Sequence, residues 1–249
     1  MRTAIACIAK NEDLYIKEWA DYHLALGFDK VVVVANDWDY EPHRNEVMTF
    51  KIPSFEYKIQ MQCLAYNTLV ERFRGIYDWV AFYDVDEYLC LKKHSNVKDF
   101  IKSFYPYKPK SIAVNWAFFG DNGLEKVDED YSLLNRFTKR QENADKHIKV
   151  IVNTKYNHIF NGQPHSSNLD WVDQSFKTGT GPFNEGGSID VAQINHYWCK
   201  TKEEYETFKM PNGQNWSPTL SRNLEDFQNH NFNEVEDTIA RDFIASLRS

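Results

Sequence analysis

The chain has 249 residues, enough for one large α/β domain, and its 42% hydrophobic and 15% aromatic content supports a core with rings left over for a binding surface. A net charge of −7 excludes a nucleic-acid partner gripped through its phosphates, which would need clustered cations. No run reaches the roughly 18 apolar residues of a membrane span, and Cys7, Cys63, Cys90 and Cys199 form no C-x-x-C pair, so a cytoplasmic protein with reduced thiols and no signal peptide is expected.

Thr3–Ala9 is a short apolar run and reads as a buried strand. Asn11 then offers an N-cap and Glu12 a favourable first-turn charge, and Tyr15, Trp19, Tyr22 and Leu26 mark one helical face closed by Gly27. On that helix Trp19 and His23 read as packing residues. Lys30–Ala35 is a second strand, β-branched at its centre, and completes a right-handed parallel crossover. Lys10, Asn11, Asn36 and Asp37 should therefore meet at one sheet edge. No G-x-G-x-x-G follows the first strand, which argues against a dinucleotide site.

Trp38–Ile52 reads as a polar loop with helical character around Glu46–Phe50, and Phe55–Ile59 as a short third strand. A helix is expected from Gln62 to Phe73, stopped by Gly75. Trp79–Leu89, WVAFYDVDEYL, is the focus of the chain: an apolar strand running into Asp84, Asp86 and Glu87. Acids at the carboxyl end of such a strand face the crevice where open α/β sheets bind ligands. Two residues apart on a strand, Asp84 and Asp86 would share a face, and a hard divalent cation with open positions for phosphate oxygens would relieve their repulsion.

Val97–Phe104 reads as a helix and Ser111–Asn115 as a strand, leading into an aromatic run that breaks at Gly120-Asp121-Asn122-Gly123. This is either a hairpin turn or an acceptor site, with rings to stack on a sugar and a carboxylate to take a hydroxyl proton. Lys146–Asn153 alternates basic and apolar residues, as a half-exposed strand would. His158 and His165 follow in a loop, and Gly179–Gly187 is glycine-rich enough for a lid or a plain connector. Ala192–Trp198 returns to a strand with His196 near its end, Thr201 and Glu204 form a capping box, and Val235, Ile239, Phe243 and Leu247 mark an amphipathic helix. One domain is expected over residues 1–249, with a nucleotide-binding half (1–89) and an acceptor-binding half (90–249). The fold class is α/β, with a mixed, mostly parallel sheet flanked by helices.

The run N-E-x-x-Y-I-x-E-W-x-x-Y-H-x-x-L-G-F-D (Asn11–Asp29), then Asn36-Asp37, Q-x-x-A-Y-N (Gln62–Asn67), W-V-A-F-Y-D-V-D-E-Y-L, F-F-G and I-N-H-Y-x-x-K-T-K-E-E-Y together resemble the GT-A glycosyltransferases. Within them the set is similar to family 92 and the "glycosyl transferase family 2-like" group, from about residue 3 to about 213. The resemblance implies a GT-A (Rossmann-like) fold, a UDP-sugar donor and manganese or magnesium held by Asp84, Asp86 and His196. It implies a nucleotide pocket from Ala9, Lys10, Asn11, Glu12, Asp37, Gln62 and Asp84. Lys149 matches a family basic position that reaches a phosphate, although a solvated strand lysine reads equally well. Family 92 members invert the anomeric centre, so a base is needed: Asp121 is the first choice, with Glu87 and Glu185 as alternatives.

The function so implied is transfer of a hexose, galactose first, to a glycan or lipid-linked glycan acceptor. By analogy the setting is bacterial surface or lipopolysaccharide synthesis, with peripheral contact at the inner membrane. A D-x-D phosphatase is a poor rival, because Glu87-Tyr88 follows the second aspartate and the motif sits on about the fourth strand. A non-catalytic glycan- or nucleotide-binding protein that keeps the fold is the other alternative.

Overall fold

The computed structural model describes residues 1–52, 59–127, 129–211 and 221–247. In chain order the strands are β1 (Thr3–Ala9), β2 (Lys30–Asn36), β3 (Val47–Ile52), β4 (Trp79–Phe82), β5 (Glu87–Leu91), β6 (Ser111–Phe118), β7 (Lys139–Arg140), β8 (Ile148–Asn153), β9 (Trp171–Val172), β10 (Thr178–Gly179), β11 (Ala192–His196) and β12 (Val235–Glu236). The helices are α1 (Ile16–Ala25), α2 (Ile59–Phe73), α3 (Val97–Ser103), α4 (Leu133–Arg136), α5 (Lys202–Glu204), α6 (Leu224–His230) and α7 (Ile239–Ser246).

The main sheet runs β10-β9-β6-β8-β4-β1-β2-β3, and β11 branches from β6 to pair with β5. The β4-β1-β2-β3 side is wholly parallel, whereas β8 runs antiparallel between β4 and β6. This is the expected mixed α/β architecture. Because β8 pairs with β4, residues from both expected halves share one sheet. The continuous apolar runs are explained by burial on both faces. Ile5, Cys7 and Ala9 of β1 pack on the α1 side, and Ala4, Ala6 and Ile8 pack on the α2 side. Trp19 and His23 do pack, and they also fix β5: Trp19 Nε1 donates to the Glu87 carbonyl at 2.8 Å, and Leu89 N donates to His23 Nε2 at 3.3 Å.

Several local expectations are corrected. The segment around Glu46–Phe50 is not helical, because β3 completes the ladder on the open edge of β2. Phe55–Lys58 of the expected third strand lie outside the described residues, and Ile59 instead opens α2. Asn11 does not cap α1. Its φ is +56°, and the chain makes a further turn before α1 begins at Ile16, where Glu12 O accepts from Tyr15 N and Ile16 N. The C-terminal helix starts at Ile239, while Val235 lies in β12 and pairs with Arg140.

The strand at 148–153 is buried on both faces rather than half-exposed, Lys149 included. The glycine-rich stretch is pinned by close packing: a Cβ on Gly179 would meet the Trp171 ring at 2.1 Å, and one on Gly187 would meet Asn115 Oδ1 at 2.3 Å. Asn184 between them is buried and donates to Asn115 Oδ1 at 2.9 Å. The stretch is therefore a fixed connector in this arrangement.

Candidate functional site

The carboxyl ends of β1, β2, β4, β6 and β11 collect the polar residues singled out from the sequence. Register explains how His196 arrives there from more than a hundred residues away. It lies opposite Glu87 in the β11–β5 ladder and opposite Phe118 in the β11–β6 ladder.

Asp84 and Asp86 do not share a strand face, because β4 ends at Phe82 and the chain turns, with Glu87 N donating to Asp84 O at 3.0 Å. The turn sends the two carboxylates to different partners. Asp84 accepts from Gln62 Nε2 at 2.8 Å and from Lys149 Nζ at 2.9 Å. Glu87 is fully buried, accepts from Asp84 N at 3.0 Å and lies 3.4 Å from Lys149 Nζ. Burial pushes its carboxyl well above the usual carboxylate range, against the lowering effect of Lys149 and with help from Asp84 and Asp86. Glu87 is thus sealed away from any acceptor, which removes it as a base and makes it a support for the turn. Lys149 is neither solvated nor free to reach out, since it is wedged between the two acids.

Asp86 faces Lys209, whose Nζ lies at 3.0 Å, and His196, whose Nε2 is 3.7 Å from its Oδ1. Burial would raise the Asp86 carboxyl, but the Lys209 ammonium, with Lys200, outweighs it and holds the group ionised well below its usual range. Lys209 is itself held by the Trp198 carbonyl at 2.7 Å and by the Trp198 ring at 4.5 Å. It stands on a π-helical turn, Tyr205–Lys209, a geometry common at functional sites.

His196 tests whether a divalent cation fits. Burial drives its pKa well below the usual histidine range, so the ring is neutral. Its Nδ1 is buried with no hydrogen-bond partner among the described residues, and Nε2 is too far from Asp86 for a hydrogen bond. A neutral imidazole beside an ionised carboxylate is a donor pair that suits manganese. Asp86 and His196 therefore fit the group. Asp84 is not brought into that set, since Gln62 and Lys149 take its oxygens, and among the described residues no three His, Cys, Asp or Glu side chains converge.

On the nucleotide side, β1 ends at buried Ala9, and Lys10 lies 3.6 Å from Asp37 across the strand ends, as expected. A cleft of about 300 Å³ opens beside them, lined by Asp37, Trp38, Asp39, Lys51 and Ile52. Trp38 stacks on Tyr40 at 5.0 Å. Asn11 is exposed in its left-handed turn. Burial raises the Glu12 pKa, with Lys200 and Lys209 acting against that and the like charges of Asp86 and Asp84 adding to it.

The two remaining base candidates are placed less favourably. Both oxygens of Asp121 are taken, by Gly123 N at 2.8 Å within its own turn and by Asn233 Nδ2 at 3.2 Å and Asn231 Nδ2 at 2.9 Å from the segment between α6 and β12. Glu185 projects into solvent, 3.8 Å from Lys146.

Sequence reasoning expected rings on the β6 side of the site but missed the Asp145–His147 pair that packs on them. Trp116 contacts the ring of His196 at 4.2 Å and stacks on His147 at 4.9 Å, with planes 23° apart. His147 Nδ1 lies 2.6 Å from Asp145 Oδ1. The available signal was Asp145-Lys146-His147 at the mouth of a strand. Lys209 and Lys200 were missed because nothing local distinguishes them from a solvated helix start.

The family model of glycosyltransferase family 92 matches residues 4–243. A glycosyltransferase family 92 protein of Ricinus communis is 25% identical over 154 residues, covering 59% of this chain and 28% of the relative. Another, from Oryza sativa subsp. japonica, is 23% identical over 158 residues, covering 59% and 26%. The chain thus spans little more than a quarter of the length of these curated relatives. The crystal structure of S. aureus TarS aligns with a TM-score of 0.37 at 19% identity, over 52% of this chain and 23% of that one. The chain belongs to glycosyltransferase family 92.

Proposed function

We propose that the protein is a metal-dependent inverting glycosyltransferase that moves a hexose, with galactose first in line, from a UDP-sugar to a glycan acceptor. Family membership supports sugar transfer. The observation that carries the metal-dependent form is His196, a buried neutral imidazole whose Nε2 faces ionised Asp86 across 3.7 Å, too far for a hydrogen bond. A divalent cation bound there supplies positive charge to the donor diphosphate as the nucleotide departs.

The chain's own residues do the rest. Asp86 and His196 are the residues that would hold the cation. Gln62 and Lys149 fix Asp84, and Glu87 braces the same turn. Asp37 and Trp38 line the cleft that takes uracil and ribose, with a carboxylate for sugar hydroxyls and a ring for the base. Phe183, an exposed ring packed edge-on against His147, provides an aromatic face for the acceptor.

The acceptor is taken to be a glycan or lipid-linked glycan of a surface polysaccharide. No described helix is long and apolar enough to cross a membrane, and contact with one would be peripheral. A panel of UDP-, GDP- and CMP-sugars incubated with Mn²⁺ and scored for nucleotide release tests the reading. Consumption of a UDP-hexose, strongest with UDP-galactose, is expected. Consumption of none, or equal turnover in EDTA, would overturn it.

A further inference from the structure

Resting on the glycosyltransferase reading above, we propose that His147, oriented by Asp145, is the base that takes the proton from the acceptor hydroxyl. The geometry is that of a carboxylate–imidazole dyad. Asp145 Oδ1 lies 2.6 Å from His147 Nδ1 and also accepts from His147 N at 2.8 Å. The carboxylate therefore holds the proton on Nδ1 and leaves the Nε2 lone pair outward. No described residue takes up Nε2, and the side chain is about one-third exposed.

Asp145 is anchored in turn. Its amide donates to the Trp116 carbonyl at 2.9 Å, and its own carbonyl accepts from Asn115 Nδ2 at 2.9 Å.

Position supports the role as much as tautomer does. The His147 ring stacks on Trp116, and Trp116 also contacts His196, next to Asp86. The same indole thus touches both the imidazole and a residue assigned to the donor diphosphate. A partly exposed imidazole beside the exposed ring of Phe183 suits a sugar hydroxyl. Phe183 closes the other side edge-on at 4.8 Å.

The charged and titratable groups around the ring are Asp145, Lys146 with Glu185, His165 at 5.6 Å, and, behind Trp116, Lys149 and His196. His165 does not compete for the proton: burial first, then Lys149 and His147, lower its pKa to about 3.

In the step, the acceptor oxygen forms its bond to the anomeric carbon while its proton moves to Nε2. The bond from that carbon to the diphosphate oxygen breaks, and its electron pair leaves with the diphosphate. Asp145 stays ionised and stabilises the imidazolium, which then returns its proton to solvent.

The test compares the wild-type chain with His147→Gln and His147→Ala, using the nucleotide sugar and acceptor that support turnover. Expected are a 10²–10⁴-fold fall in kcat, unchanged affinity for UDP with Mn²⁺, and partial restoration of His147→Ala by added imidazole. Turnover by His147→Gln within threefold of wild type would overturn the base while leaving the transferase reading intact. Equal loss of UDP affinity would also overturn it, by making the residue structural. If His147→Gln fails to fold by circular dichroism, Asp145→Asn carries the test, with kcat lowered and UDP affinity kept as the supporting result and unchanged kcat as the contrary one. If the wild-type chain consumes no nucleotide sugar, both readings fall together.

Discussion

Replacing Lys149 by methionine takes away an ammonium wedged between Asp84 and Glu87, at 2.9 and 3.4 Å, while keeping most of the side-chain volume. Lys149 and Glu87 have no exposed side-chain surface, so water cannot stand in for the lost charge. Breaking a buried pair by removing one partner costs roughly 3–5 kcal/mol. The pH dependence follows from Glu87. Burial already raises its carboxyl pKa in the folded state, and loss of Lys149 raises it further above the unfolded value. A carboxyl raised in this way is tolerated below its unfolded pKa and becomes destabilising as pH climbs. The stability gap between Lys149→Met and wild type is therefore expected to widen as pH rises through the folded wild-type Glu87 pKa, followed upward from pH 5 to pH 8. Urea unfolding across that range measures it, and Lys149→Met/Glu87→Gln should recover more than about 1 kcal/mol of the loss at pH 8. A gap below about 1 kcal/mol at pH 7, or one independent of pH, would refute the buried-triad account.

Glu204 joins α5 to α4 and to the entry of α1, accepting from Arg136 at 2.7 and 3.1 Å and from Tyr15 OH. Burial opposes its ionisation, but Arg136, Tyr15 and Thr201 lower its pKa from 4.5 to about 2. A depressed carboxyl stabilises above its unfolded pKa and loses that contribution as pH falls through the folded one, here between about pH 4.5 and 2. Glu204→Gln is expected to cost roughly 3–5 kcal/mol at neutral pH and to flatten that acid limb in thermal unfolding. An unchanged limb would assign it to other carboxylates. Gly187→Ala drives a Cβ to 2.3 Å from Asn115 Oδ1. It should destabilise by about 1–3 kcal/mol, seen as a lower Tm; an unchanged Tm would mean that the connector yields easily.

The parts of the fold that could be read in advance are those governed by local rules. β1, β2 and β4 are apolar runs because both faces of the central strands are buried. The Thr201–Glu204 capping box forms as its spacing requires. What could not be read depended on partners distant in the chain. β3 exists because β2 offers an open edge, and its own sequence, VMTFKI, is ambiguous in period. Lys149 read equally as a phosphate ligand or a solvated lysine, because an alternating pattern cannot show that two acids from another strand end will meet it. The D-x-D pair was found, but its split between Lys149 and Lys209 follows from where β4 stops. His147 became visible only once β6 and β8 placed Trp116 under its ring.

The central claim is that Asp86 and His196 couple a divalent cation to a uridine diphosphate. Calorimetric titration of UDP into the protein, with Mn²⁺ and then with EDTA, tests it most directly, using Asp86→Ala as the control variant. Binding should need the cation and should weaken at least tenfold in Asp86→Ala, a loss of about 1.4 kcal/mol or more. UDP binding of equal strength in EDTA, or unaffected by Asp86→Ala, would contradict it.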